Sequence, residues 1–534
     1  MRAFAELLDR LAYTPRRNAK LGLMACYFRA VPDPDRGWAL AALTDGLPFS
    51  LPVRRTLQDL MANRVDDELF RLSRDYVGDT AETVALLWPQ AQQVDVAPLL
   101  LGDVIEHLLS VERASLGDVL SGWLDRLDAT GRWALLKLLT GALRVGVSAR
   151  LAKLAVAQAW HRDVAEIEEL WHGLTPPYTV LFQWLEGKAA RPDVSQLPVF
   201  RPMMLAHPLE EADWRALDLA DYLVEWKWDG IRVQIVAKAG VTRLYSRTGD
   251  DVTASFPELQ QNLKFEGILD GELLIVRDGR VAPFSELQQR LNRKTVSKKL
   301  MEASPAHIRF YDVLELNGCD LRQRSLLERR TRLEYWHGDL QCANAGLCMT
   351  DLSELIAVSD KNTLLEIWSK TREAAIEGLM LKRKASPYLA GRPKGHWFKW
   401  KRAPLTLDCV MMYAQRGSGR RSSFYSDYTF GVWRASDTGA AELVPVGKAY
   451  SGFTEDELAR LDRWVRNNTT ERYGPVRAVA ASLVLEVAFD SVHRSKRHKS
   501  GVAMRFPRIH RIRWDKPCEE ADSLEMLVAM IVEA

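Results

Sequence analysis

Lys227 is the side chain in this sequence best placed to do chemistry. It sits in the run Glu225-Trp226-Lys227-Trp228-Asp229-Gly230-Ile231-Arg232. Read as the end of a strand, a tight turn and the start of the next strand, the run places Glu225, Lys227 and Asp229 on one side and Trp226 and Trp228 on the other. A lysine held between carboxylates above an apolar floor is one way to prepare a nucleophilic amine. Desolvation lowers its pKa from about 10.4 towards neutrality, and the neutral amine is what attacks. An isolated Lys-x-Asp-Gly equally describes a surface lysine in a hairpin, so the rest of the chain has to decide.

The elements that must position this run follow from residue type. Short β-rich segments are expected at Tyr222 to Lys227, Ile231 to Val236, Val241 to Tyr245 and Ile268 to Val276, with Ala239-Gly240 and Asp278-Gly279 as turns. Further strands are expected at Ile308 to Leu314, Leu379 to Arg383 and His396 to Lys401, giving a mixed, largely antiparallel α+β domain. Charged residues stand where a half-buried strand usually carries apolar ones: Arg232, Arg247, Asp270, Glu272, Glu377, Lys399 and Lys401. Together with Tyr311, whose ring could stack on a base, they describe one pocket. Burying so many charges is costly unless they pair with each other or with a charged ligand. A triphosphate with a divalent metal is the economical explanation.

The flanking regions differ in kind. From Phe4 to about Gly187 apolar residues recur at helical spacing, as in Leu135, Leu138 and Leu139, and breaks such as Pro32-Asp33-Pro34 and Pro176-Pro177 punctuate them. Lys188 to Arg201, with Pro192 and Pro198, reads as a linker. After Pro404 strands return, at Leu407 to Ala414, Tyr428 to Trp433, Leu443 to Ala449 and Leu483 to Phe489, with one helix at about Glu455 to Asn467. Such a set suits a small barrel of the OB type. Gln415 to Ser423 is a Gly, Ser and Arg loop suited to tracking a nucleic-acid backbone. Nine Lys or Arg residues lie between Arg494 and Lys516 against one acid, Asp515.

Composition bounds the rest. The chain has 534 residues, 47% hydrophobic and 27% charged, which is globular material for several cores. A net charge of +3 means that affinity for polyanions must come from local clusters. Six cysteines without a C-x-x-C pair read as free thiols and argue against a zinc module. With no signal segment and no apolar run of about 18 residues, a cytoplasmic protein outside the membrane is expected.

The lysine run is followed, in order, by Ser246-Arg247-x-Gly249, Leu269-Asp270-Gly271-Glu272, Phe310-Tyr311-Asp312, Glu377-Gly378-Leu379-Met380-Leu381-Lys382 and Trp397-x-Lys399-x-Lys401. This series resembles the covalent nucleotidyltransferases, and among them the ATP-dependent DNA ligases. The segment Arg505-Phe506-Pro507-Arg508-Ile509-x-Arg511-Ile512-Arg513-Trp514-Asp515-Lys516 looks like the last motif of those ligases. Leu143-Arg144-Val145-Gly146-Val147 is similar to part of the helical DNA-binding domain of the larger ones.

The resemblance implies a fold of three domains: an all-α DNA-binding domain at 1–187, a linker at 188–201, an α+β adenylation (nucleotidyltransferase) domain at 202–403 and a C-terminal OB-fold β-barrel at 404–534. It implies that Lys227 becomes adenylated. By that resemblance Glu225 would contact the adenine and Tyr311 would stack on it; Arg232 and Arg247 would bind ribose and phosphate; Glu272 and Glu377 would serve the ribose and the divalent metal; Lys399 and Lys401 would hold the α-phosphate. By the same resemblance Arg511, Arg513, Asp515 and Lys516 are candidates for activating the first step. ATP and Mg²⁺ (or Mn²⁺) are the expected cofactors, and nicked duplex DNA is the expected partner of a monomeric enzyme. Arg392-Pro393-Lys394 does not align with the family's basic residue at that place. An RNA ligase or mRNA-capping guanylyltransferase shares the lysine pocket, but the helical region and the final basic motif argue against both. A non-catalytic nick-binding protein has no reason to keep the lysine, both acids and both distal lysines together.

Overall fold

The computed structural model describes residues 1–47, 51, 53–77, 79–89, 98–141, 143–291, 293, 295–343, 349–371, 376–417, 424–435, 441–495 and 498–531. The chain divides into two compact units. One comprises residues 1–164, 175–191 and 404–531, and the other residues 165–174 and 192–403. Among the described residues no helix is long and apolar enough to cross a membrane.

The N-terminal part of the first unit is helical from Arg2–Tyr13 to Thr179–Leu185. The helix Ala129–Thr140 shows how sequence sets its ends: the Asp128 carboxylate accepts from the Gly131 N–H, and Gly141 closes the helix in the left-handed region at φ +68. Its Leu135, Leu138 and Leu139 are buried, as the spacing predicts. The amine of Lys20, itself buried, donates to the carbonyls of Val145 and Gly146 and so pins the turn after this helix.

The C-terminal part of the same unit is barrel-like. The long strand Leu405–Arg416 pairs with Tyr425–Ala435 on one side; on its other side it pairs with Val484–Phe489 in its first half and with Val476–Val479 near its end. A strand that changes partners along its length coils strongly, and its inward residues close on one core that includes Cys409, Met411, Tyr428, Phe430, Leu485 and Phe489. The helix Glu455–Asn467 lies where the sequence places it, started by a reciprocal cap between Thr454 and Glu457. In the expected Gly, Ser and Arg loop, residues 418–423 lie outside the described residues, as do 496–497 of the basic run.

The second unit is built on two sheets. Seven strands form one, in the order Val241–Ser246, Ile231–Lys238, Gly267–Arg277, Ala306–Leu316 and Cys319–Asp320, with Arg280–Val281 and Thr350–Leu352 added at its side. The other has four strands, in the order His207–Pro208, Trp397–Lys401, Gly378–Arg383 and Tyr222–Lys227. The lysine turn is therefore not a hairpin: Tyr222–Lys227 ends in the smaller sheet and Ile231–Lys238 begins in the larger one. Gly230 passes so close to the larger sheet that a Cβ there would lie 2.5 Å from the Leu273 carbonyl oxygen, which explains the glycine at the crossing.

Candidate active site

The four-stranded sheet brings distant parts of the chain onto Lys227. Gly378 stands opposite Lys227 on one side and Lys401 on the other, and Met380 likewise stands between Glu225 and Lys399. Glu377, immediately before this strand, receives Lys227 in an ion pair, and Lys401 Nζ lies 3.3 Å from the same carboxylate oxygen. Gly378 makes this approach possible: at φ +145, a Cβ would lie 2.1 Å from the Trp400 carbonyl oxygen. Trp400, between the two distal lysines, stacks on Trp368 at 4.9 Å and meets Trp214 at 4.7 Å, which anchors the strand that carries Lys399 and Lys401.

The setting of Lys227 differs from the local reading of the sequence. Its carboxylate partner is Glu377, not Glu225 beside it in the chain. Glu225 is buried and bound instead to Lys382, at 2.9 Å. Trp226 packs with Trp400 and Leu379 in the core of the small sheet. Strand alternation stops at Lys227, so Trp228 does not join that floor; its ring lies under the Arg309 guanidinium, 4.1 Å away.

Lys382, in the same strand as Gly378, is a further member of the site, at the end of the Glu377 to Lys382 motif. Its amine pairs with Glu225 and lies 4.0 Å over the Tyr311 ring, joining the two sheets. Burial pushes this amine down, and Glu225 opposes the shift. The other Glu225 oxygen, Oε1, is buried with no hydrogen-bond partner among the described residues. A buried, unsatisfied acceptor is expensive unless a donor reaches it.

Arg232 rises from the larger sheet with its guanidinium held by the protein. It donates to the Met204 carbonyl at 2.5 Å, to Asp270 at 2.6 Å and to the Tyr388 hydroxyl at 3.1 Å, and stands 5.8 Å from the Tyr311 ring. Asp270 is the fully buried centre of this network, since Gln234 and Tyr388 also donate to it. Behind it, Asp312 and Arg329 form a two-toothed pair with both side chains wholly buried. The pairings themselves are not legible in the sequence, because each crosses between strands or to a distant loop.

Cations and acids interleave in the pocket. Burial pushes the Arg247 guanidinium down, and Arg232 and Arg392 add to the shift. Burial also pushes the Lys399 amine down, followed by repulsion from Lys401, Arg392, Arg247 and Lys227. Arg392 contributes to the shifts of both Arg247 and Lys399, although the sequence pattern left it unassigned. On the acidic side the Glu272 carboxyl is pushed up to about 7, mainly by burial, with Lys227 pulling it down and Glu377 pushing it up. No group of three or more His, Cys, Asp or Glu that could hold a metal occurs among the described residues. Two carboxylates still suit a hard cation that keeps several waters.

Arg511, Arg513, Asp515 and Lys516 lie in the other unit, at the end of the barrel strand Arg508–Arg513 and just beyond it. Lys516 donates to Asp408 at 2.8 Å, Arg513 lies 3.4 Å from the same oxygen, and Arg513 also pairs with Asp515 at 3.0 Å. Arg511 is exposed, 4.0 Å from Asp515. Asp408 is the residue that sequence reasoning missed here.

Known proteins resemble this chain along nearly its whole length. A family model described as the ATP dependent DNA ligase domain matches residues 203–401, and one described as the ATP dependent DNA ligase C terminal region matches residues 421–516. A probable DNA ligase of Koribacter versatilis is 34% identical over 558 residues, covering 98% of this chain and 95% of that protein. DNA ligase 1 of Korarchaeum cryptofilum is 29% identical, covering 98% and 97%. A solved structure named Pmar-Lig_Pre. is similar in fold, with a TM-score of 0.61 at 15% identity over 96% of this chain and 99% of that one. On the strength of the two family models and the full-length Koribacter relative, the chain belongs to the ATP-dependent DNA ligases.

Proposed function

We propose that this enzyme seals nicks in duplex DNA through a lysyl-AMP intermediate carried by Lys227. In the first step Lys227 Nζ forms a bond to the α-phosphorus of ATP, the bond to the β-phosphate oxygen breaks, pyrophosphate leaves and the amine proton is lost to solvent. The AMP is then transferred to the 5′-phosphate at the nick, and the 3′-hydroxyl displaces it. Attack needs the neutral amine, so Lys227 gives up a proton and parts from Glu377 before that step.

The observation that carries this reading is the meeting of Lys227 and Lys401 on one oxygen of Glu377, in a sheet whose ladder also brings in Lys399. Charge developing on the phosphate oxygens meets donors already in place. Tyr311 offers a face for the adenine and Glu225 Oε1 an acceptor for its amino group; Arg232 and Arg247 face ribose and phosphate. Glu272 and Glu377 would hold Mg²⁺ or Mn²⁺, which neutralises phosphate charge when bound. Arg511, Arg513, Asp515 and Lys516 would orient the pyrophosphate.

On this reading residues 1–187 bind DNA, 188–201 link, 202–403 carry the nucleotide and 404–534 form an OB-fold. The enzyme acts in the cytoplasm as a monomer, and its groove contacts go mainly to phosphates because a nick occurs in any sequence. Incubation with α-labelled ATP and Mg²⁺ is expected to leave label on the protein and none on Lys227→Ala. Label retained by Lys227→Ala refutes the assignment, and preferential labelling by GTP would instead indicate a capping-type enzyme.

A further inference from the structure

The residue after Lys227 is held by a device that no motif contains. Trp228 lies beyond the end of its strand, in the crossing between the two sheets, where backbone pairing no longer fixes it. The Arg309 guanidinium covers its ring at 4.1 Å, and its indole Nε1 is buried with no hydrogen-bond partner among the described residues. Its orientation is thus set by the face contact rather than by a hydrogen bond.

Arg309 is itself locked. Its Nε and NH2 donate to the two oxygens of Asp351 at 2.9 and 2.6 Å, and His307 Nε2 lies 3.1 Å from the same carboxylate. The pair stands in register, Arg309 opposite Asp351 in a parallel ladder, and the Asp351 carboxyl is held down at about 2 despite its burial, by His307 and Arg309. The segment after Asp351 crosses to the smaller sheet. Ser353 N–H donates to the Phe310 carbonyl at 2.7 Å, Leu355 bridges Glu225, and Ile356 N–H donates to the Val224 carbonyl at 2.8 Å. One short strap therefore grips the nucleophile strand at Val224 and Glu225 and, through Arg309, the ring just past Lys227.

We infer that Arg309 and Asp351 are positioning residues for the first chemical step, acting through Trp228 to hold Lys227 in line with its target. This rests on the reading of Lys227 as the nucleophile. A side chain with four rotatable bonds reaches a near-attack position only if its backbone is steady, and misplacement by about 1 Å can cost up to about a hundredfold in rate.

The test is single-turnover self-adenylation of the full chain over a range of ATP concentrations. Arg309→Met, Asp351→Asn and Trp228→Ala are expected to lower the limiting rate about ten- to a hundredfold, with the ATP concentration for half-maximal rate changed less than about twofold. Arg309→Lys, which keeps the cation but cannot make the two-toothed bridge, is expected to recover part of the rate. The double variant Arg309→Met with Trp228→Ala is expected to be no slower than the worse single one, since the two act as a unit. Sealing of a nick that already carries AMP does not need attack by Lys227 and is expected to stay near the wild-type rate, which also shows that the variants fold. Wild-type adenylation by Arg309→Met and Asp351→Asn, or equal losses in adenylation and in sealing of the pre-adenylated nick, overturns the proposal. Label retained by Lys227→Ala overturns the reading beneath it instead.

Discussion

Lys227 and Glu377 meet as an ion pair although 150 residues separate them, because Gly378 stands directly opposite Lys227 in the antiparallel ladder. The carboxylate serves as counter-ion to Lys227 and as half of the acid pair. Glu377→Gln removes its charge at nearly constant volume. First-step labelling is expected to fall at least about tenfold at fixed Mg²⁺ and to be partly restored by raising Mg²⁺ or substituting Mn²⁺, since a weakened ligand set is compensated by mass action. A Glu377→Gln enzyme with wild-type metal dependence would remove Glu377 from the metal site.

Glu272 predicts a pH dependence. Its folded-state pKa lies above the ordinary value of 4.5, at about 7, so the folded protein binds more protons than the unfolded chain between these limits. Stability without ATP and metal is therefore expected to decline as pH rises from about 4.5 through 7. Glu272→Gln should flatten that decline in melting temperature. Metal binding needs the carboxylate, so half-saturation of labelling by Mg²⁺ should require more metal below about pH 7.

The Glu225 and Lys382 pair is buried on both sides, which makes single deletions costly. Lys382→Met leaves a buried carboxylate unpaired and is expected to cost about 3–5 kcal/mol in urea unfolding. Combining it with Glu225→Gln should recover most of that loss, giving a large coupling energy in the double-mutant cycle. Simple addition of the two single effects would show that the pair does not act as a unit.

Asp408 holds Lys516 at 2.8 Å and Arg513 at 3.4 Å within the barrel. If these cations serve the pyrophosphate, the carboxylate competes with it. Asp408→Asn is then expected to raise the first-step rate several-fold, Lys516→Ala to lower it, and the double variant to match Lys516→Ala. A fall in rate with Asp408→Asn would instead make Asp408 a support that orients Lys516.

Salt separates the chemistry from DNA binding. Sealing of an intact nick is expected to weaken steeply between low and high salt, by roughly 0.9 in log–log slope for each phosphate neutralised, because counterions leave the duplex. Self-adenylation is expected to be far flatter. Equal slopes for both would remove the DNA contribution from the sealing step.

Much of this protein was legible in the order of its residues. Local pattern located the strand Tyr222–Lys227 and the helix Glu455–Asn467 at the bounds the structure has, because alternation and capping are properties of neighbours. Residue order likewise marked Lys227, Glu272, Glu377, Lys399 and Lys401 as one set. Pairing across strands was not legible, since register depends on which strands become adjacent. Only the tertiary structure made Glu377, rather than Glu225, the partner of Lys227; sent Glu225 to Lys382; drew Arg392 into the cation cluster; and placed Trp228 under Arg309. The physical reason is that charge pairing and desolvation are set by distance in space, and two sheets joined at Gly230 bring together groups that the chain keeps far apart.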